Sequence, residues 1–160
     1  MKEAISIKNP LSVLPLLQRW KRCRQENFLT ITLNGAHEVI KVHHISKGLV
    51  NKTIVHPREC FYPAIRDMAT AIILVHNHPS GYAVSSSEDD EITKRLTMSA
   101  EILGINILDH IIITPKDTFY SYKQEGKLPS NHQAYELDNF AASLKKDYAE
   151  ENITKEHFNE

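Results

Sequence analysis

Cysteine is scarce. The 160 residues hold two, Cys23 and Cys60, too few for a disulfide framework or a four-thiolate metal site. A chain of this length folds without such staples, because it buries roughly 70% of the surface its extended form exposes. Glycine and proline are sparse as well, at five and seven residues, which excludes collagen-like and linker-like sequences. Long hydrophobic runs are missing. The longest, Ala71 to Val75 with its neighbours, is a strand's worth, whereas a membrane-spanning helix needs about 20 apolar residues. The opening MKEAISIKNP has no apolar stretch before a small-residue cleavage site, so no export signal is read and a reducing cytoplasm is the expected compartment. What is present, 41% hydrophobic and 24% charged residues, is a globular composition of one-domain length.

An excess of either charge is lacking too: 19 basic residues face 20 acidic ones. The balance hides an asymmetry. Residues 1–60 carry ten basic and four acidic side chains, and residues 61–160 carry nine and sixteen. Arg19, Lys21, Arg22 and Arg24 cluster beside Trp20, a pattern that can neutralise phosphates and stack on a base, hence a DNA contact. A solvated helix end explains the same cluster, since cations are favoured near a helix C-terminus.

The hydropathy pattern is mixed α/β. Asn9-Pro10 predicts a capped helix running to about Arg24, tightened or kinked at Pro15. Leu29, Ile31 and Leu33 alternate with Thr30 and Thr32 as in a strand; Asn34-Gly35 signals a hairpin, and Glu38 to Ser46 returns. A polar loop follows from Lys47 to His56, then a short helix from Pro57 to about Met68. Ala71 to His76 reads as a strand buried on both faces. Glu88 to Leu103 reads as a helix with Ile92, Leu96, Ala100 and Leu103 on one stripe and Gly104 as its stop. Ile105 to Ile113 is a second buried strand and Thr118 to Tyr122 an edge strand. Leu137, Phe140, Ala141, Leu144 and Tyr148 predict an amphipathic C-terminal helix, to be buried on the same domain or on a partner chain.

The chemistry concentrates in His76-Asn77-His78-Pro79-Ser80-Gly81, followed by Ser86 and Asp89. Strand residues two apart share a face, so His76 and His78 can converge on one cation from a rigid base. Pro79 ends the ladder and Gly81 permits a sharp reversal. The run Ser85 to Asp90 then marks a helix start, with Asp89 in the first turn. Two His and one Asp leave a tetrahedral Zn²⁺ an open position, the layout of a catalytic site. The plainer alternative is a pair of strand-end histidines ahead of an ordinary capped helix.

The pattern His76-x-His78-Pro79 with Ser86-x-x-Asp89 resembles the JAMM motif of JAB/MPN-type metalloproteases. HNHPSG, AIILVHNHP, KGLVN, HPRE and ILDHIII resemble the RadC-like branch in particular, from about Glu26 to Tyr122. The resemblance implies a cytidine-deaminase-like α/β fold, a central mixed β-sheet flanked by helices, here with an extra C-terminal helix. It implies one Zn²⁺ per chain on His76, His78 and Asp89, with Glu26 in the place of the upstream glutamate and Ser86 as the motif serine. In those roles Glu26 takes the proton of the attacking water, and Ser86 donates to the oxyanion of a peptide or isopeptide carbonyl. The implied division is an N-terminal helix (1–25), the metal-binding domain (26–130) and a C-terminal extension (131–160). Longer members carry an N-terminal helix-hairpin-helix module suited to DNA; with some 25 residues before Glu26, a short form without it is expected. Tyr82-Ala83-Val84-Ser85 departs from the branch, which has an acidic residue and prolines there.

Rival sites fail on spacing. His37-Glu38 lacks the second histidine of a zincin and sits on a strand. A zinc deaminase needs H-x-E and P-C-x-x-C. His43 and His44 point to opposite faces of a strand. His110 reads as a hydrogen-bonded core histidine or a support of the site, Cys60 as core packing and Cys23 as an inert thiol. Two functions stand: a zinc-dependent hydrolase acting on a peptide or protein substrate, or a DNA-repair-associated or protein-binding module whose zinc site is structural or vestigial.

Overall fold

The computed structural model describes residues 4–48 and 55–129. The expected C-terminal helix and most of the polar loop after Lys47 lie outside the described residues. Five strands form one mixed sheet: β1 (Asn27–Leu33), β2 (Val39–Lys47), β3 (Ala71–Asn77), β4 (Asn106–Ile113) and β5 (Phe119–Ser121), in the order β2-β1-β3-β4-β5. β1 runs antiparallel to β2 and β3, β3 and β4 are parallel, and β5 closes the edge antiparallel to β4. The parallel pair needs a crossover, supplied by α3 (Ser87–Leu103). All seven residues of β1 and all seven of β3 are buried, as central strands with both faces covered must be.

The alternation of side chains sorts the core into two layers. Phe28, Ile72 and Leu74 pack against Cys60, Phe61 and Ala64 of α2 (Pro57–Arg66) and Ile92, Leu96 and Ala100 of α3. Leu29, Ile31, Leu33, Ile73, Val75, Ile111 and Ile113 pack against Ile7, Val13 and Leu17. Each Val, Leu, Ile or Phe among them taken from water contributes about 1.5–3 kcal/mol. Among the described residues no helix is long and apolar enough to cross a membrane.

Three local expectations change. The N-terminal helix is 3₁₀ over Pro10–Leu17, followed by one α turn, α1 (Gln18–Lys21), and the Asn9 side chain makes no capping bond. Pro15 lies inside it, where it has no N–H to give. The Asn34-Gly35 hairpin forms with a longer connection. Asn34 Oδ1 accepts the N–H groups of Ala36 and Glu38, and His37, not Gly35, takes the positive φ. On α3, Leu103 is 45% exposed, while Thr93 and Thr97 join the buried stripe. The α3 ends are as expected: Ser86 caps, and Gly104 stops the helix at φ 68°.

Candidate metal centre

Strand parity builds the site. Ile72 and Leu74 face the helices, so His76 continues that face, and His78 follows as its N–H bonds the Ile113 carbonyl at 2.8 Å. Gly81 then turns the chain at φ 84°; a Cβ there would lie 2.8 Å from Lys116 Cε. At the start of α3, Ser86 Oγ accepts the Asp89 N–H (3.1 Å) and Asp89 Oδ2 accepts the Ser86 N–H (2.9 Å). This reciprocal capping box fixes a carboxylate that is 3% exposed.

Three side chains meet. His76 Nε2 lies 3.0 Å from His78 Nε2 and 3.2 Å from Asp89 Oδ1, and His78 Nε2 lies 3.3 Å from Asp89 Oδ2. Among the described residues His76, His78 and Asp89 form a group that can hold a metal ion. Hydrogen-bond partners assign the tautomers, because a carbonyl only accepts. His78 Nδ1 lies 3.0 Å from the Tyr82 carbonyl, so Nδ1 carries a proton and Nε2 is the nitrogen that faces Asp89. Thr93 Oγ1 donates to the Asp89 carbonyl (2.7 Å) and therefore accepts from His110 Nδ1 (2.6 Å). His110 Nε2 in turn accepts from His76 Nδ1 (2.8 Å). Both imidazoles thus turn Nε2 towards the carboxylate. Bare lone pairs and an anion so close repel, so a proton or a metal cation lies between them.

The donor set suits a small divalent ion: two imidazole nitrogens 3.0 Å apart, and a carboxylate with Oδ1 3.2 Å from His76 Nε2 and Oδ2 3.3 Å from His78 Nε2. Burial opposes ionisation of Asp89, but hydrogen bonds with His76 and His78 outweigh it and hold the carboxyl well below the usual carboxylate range. Burial likewise pulls the His78 pKa down, and its bonds to Asp89 and Tyr82, with the charge of Glu26, raise it above the ordinary value. His110 is held neutral, its pKa lowered first by burial and then by the charge of His76.

Glu26 comes to the same face. Phe28 pairs with His76 across the antiparallel ladder, so Glu26, two residues earlier, lies alongside His78. Asn77 secures that segment: its Oδ1 accepts the Asn27 N–H at 2.7 Å, and its Nδ2 donates to the Gln25 and Cys23 carbonyls at 3.0 and 3.3 Å. The Glu26 carbonyl accepts the Gly48 N–H at 2.8 Å. A groove of about 410 Å³ opens there, lined by Arg24, Gln25, Glu26, Gly48, Pro79 and Ser80. Ser86 is exposed, and its oxygen accepts from Asp89, which leaves the hydroxyl proton to donate outward.

The other sequence candidates go elsewhere. His43 pairs with Asp67, and His44 bonds Asn27 Oδ1 and stacks on Trp20 at 5.0 Å. Trp20 also carries the Arg19 guanidinium 4.4 Å from its ring centroid, and Lys21 pairs with Asp117. Buried Cys60 has its thiol pushed up to about 12 by burial and the charge of Glu59. His110 is both a core histidine and a hydrogen-bond partner of His76. Sequence reasoning overlooked Asn77 and Thr93. Thr93 lies four residues after Asp89, on the same helix face, which was the available signal.

Residues 7–127 match the model of the RadC-like JAB domain family. A UPF0758 protein of Trichlorobacter lovleyi is 49% identical over 105 residues, 66% of this chain and 45% of that protein. One from Methanospirillum hungatei is 49% identical over 115 residues, 71% of this chain and 51% of its own. One from Alkaliphilus metalliredigens is 47% identical over 123 residues, 76% and 53% of the two chains. The chain therefore spans about half the length of the relatives it matches.

Proposed function

The chain belongs to the RadC-like JAB domain family, and from that premise we propose that it is a zinc-dependent hydrolase of peptide or isopeptide bonds. One observation carries the reading: the Nε2 atoms of His76 and His78 and the Asp89 carboxylate converge beside a groove whose wall includes Glu26. The proposal extends to a cytidine-deaminase-like fold, one Zn²⁺ per chain, a peptide or protein substrate and action in the cytoplasm.

The residues divide the work. When bound to His76, His78 and Asp89, the ion supplies Lewis acidity, which makes water nucleophilic near neutral pH and polarises a carbonyl. Glu26 accepts the proton of the attacking water and returns it to the leaving amine. Ser86 donates its free hydroxyl proton to the oxyanion while its oxygen keeps the cap of α3. The groove along Arg24 to Glu26 and Pro79-Ser80 holds the substrate chain.

Zinc loading followed by elemental analysis tests the first half, with about one ion per chain expected at neutral pH. Absence of stoichiometric metal overturns the reading. A peptide and isopeptide library read by mass spectrometry tests the second. Glu26→Gln is expected to keep the metal and lose about 10²-fold or more in turnover, because an amide cannot take a proton. Ser86→Ala is expected to keep the metal and lose about 10²–10³-fold. Full activity of Glu26→Gln moves the base elsewhere.

A further inference from the structure

We infer that His110 and Thr93 are positioning residues, a relay that sets the tautomer of His76 and ties it to the helix turn bearing Asp89. The inference rests on the metal reading and goes beyond its three ligands. The relay crosses three elements: His76 on β3, His110 on β4 and Thr93 on α3. Its two ends are the two ligands themselves. The His76 ring opens it through Nδ1, and the Asp89 backbone carbonyl closes it by accepting the Thr93 hydroxyl.

Direction is the essential property. A carbonyl has no proton to give, so Thr93 must donate to Asp89 and must accept from His110. His110 must then accept from His76, and only one His76 tautomer satisfies that bond, the one whose Nε2 is free for a metal. Reversing the chain would set the Thr93 oxygen against the Asp89 carbonyl at 2.7 Å with no proton between them. A neutral histidine with its outer nitrogen hydrogen-bonded is also a more basic ligand.

The relay is held rigidly. The His110 ring stacks on Tyr122 at 5.0 Å and 9°, and meets the edge of Phe28 at 5.5 Å and 62°. Tyr122 is itself fixed by a 2.7 Å bond from its hydroxyl to Asp90 Oδ1, the residue after the ligand. His110, Thr93 and His76 are all 0% exposed, so no water substitutes for a missing partner. Packing alone would ask only for a ring at position 110. It would not ask for a hydroxyl at 93, where valine has nearly the same shape.

That contrast is the test. Zinc affinity of the full chain is measured by competition with a chromophoric chelator for Thr93→Val, Thr93→Ser, His110→Gln and His110→Phe. Thr93→Val keeps the β-branched shape and loses the hydroxyl, and is expected to bind zinc about tenfold or more weakly. Thr93→Ser keeps the hydroxyl and is expected to bind close to the parent. His110→Gln keeps one acceptor and one donor and should exceed His110→Phe, which keeps only the ring, by a factor within the about 10–100-fold range of such partners. Circular dichroism of the metal-free forms checks the fold, and a variant that fails to fold leaves the other pair to decide. Equal zinc affinity for Thr93→Val and Thr93→Ser, or for His110→Gln and His110→Phe, overturns the relay while leaving the metal site standing. A parent chain that binds no zinc overturns both.

Discussion

Two histidine pairs sit on one sheet and meet opposite fates. His43 and His44 are neighbours on β2, and alternation sends them apart: His43 to Asp67 on the helix side, His44 to Trp20 and Asn27 on the other. His76 and His78 are separated by one residue, and alternation brings them together, 3.0 Å between Nε2 atoms. The residue between them, Asn77, takes the opposite face and bonds the segment from Cys23 to Asn27. One extra residue thus turns a pair that braces two faces into a pair that can share an ion. The carboxylates differ in kind as well. Asp67 serves one histidine and the Thr32 hydroxyl, whereas Asp89 faces the Nε2 atoms of two imidazoles.

The largest effect separates the pairs outright. His78→Ala and Asp89→Ala are expected to weaken zinc binding by about 10³-fold or more, since each removes one of the three proposed ligands. His43→Ala is expected to leave zinc affinity unchanged. Asp90→Ala sharpens the contrast: it is adjacent to Asp89 but accepts from Tyr122, so it should cost far less affinity than Asp89→Ala. Competition titration of the four variants reads all of this, and equal losses at Asp89 and Asp90 would mean that the register of the motif is wrong.

A second effect concerns the residue inside the motif. Asn77→Ala removes three hydrogen bonds, one buried and two partly buried, and should lower stability to chemical denaturation by about 3 kcal/mol, roughly one per bond. Zinc should still bind, because His76 and His78 are on the other face. Loss of zinc with no loss of stability would contradict that division of faces.

The legible part of the molecule was the locally determined part. Ser86, Asp89 and Gly104 announce the ends of α3 through caps that span a few residues. His76 and His78 share a face by spacing alone, and Ala71 to Val75 reads as buried because nothing polar interrupts it. What escaped depends on contacts between distant segments. The His110–His76 bond needs the parallel register of β3 and β4, which shifts between Ile72 and Ile73. The Asn77 clamp joins residues 50 or more apart, and no periodicity encodes it. At the N-terminus the helix forms where it was read, but Pro10–Leu17 is wound tighter as 3₁₀ around Pro15, which withholds a donor an α turn would use. At the hairpin, Asn34 ties the loop with its own side chain, so Gly35 is not the residue that adopts the left-handed conformation.

A smaller effect tests the bracing pair by pH. Burial works against ionised Asp67, but the Thr32 hydroxyl and then His43 lower its pKa below the ordinary 3.8. A carboxyl with a depressed folded pKa stabilises the fold above the unfolded value and loses that contribution as pH falls through the folded one. The melting-temperature gap between the parent and Asp67→Asn is therefore expected to hold steady near neutrality and to close below about pH 4. A gap that widens on acidification would show that the pair does not favour the ionised carboxylate.

The smallest expected effect falls on His44, which is exposed but has two partners. Its Nε2 lies 2.9 Å from Asn27 Oδ1, and its ring stacks on Trp20 with planes 22° apart. His44→Phe keeps the stack and loses the hydrogen bond, whose net worth is about 0.5–1.5 kcal/mol and nearer the lower figure where water can replace the donor. His44→Ala loses both, adding about 0.5–1.5 kcal/mol for the aromatic pair. Denaturant midpoints should therefore rank parent, Phe and Ala in falling order, while zinc affinity stays the same in all three. Asn27 begins the strand that follows Glu26, so a change there could reach the groove without touching the ligands. If His44→Ala weakened zinc as His78→Ala does, the two histidine pairs would not be independent, and the spacing argument that separates them would fall.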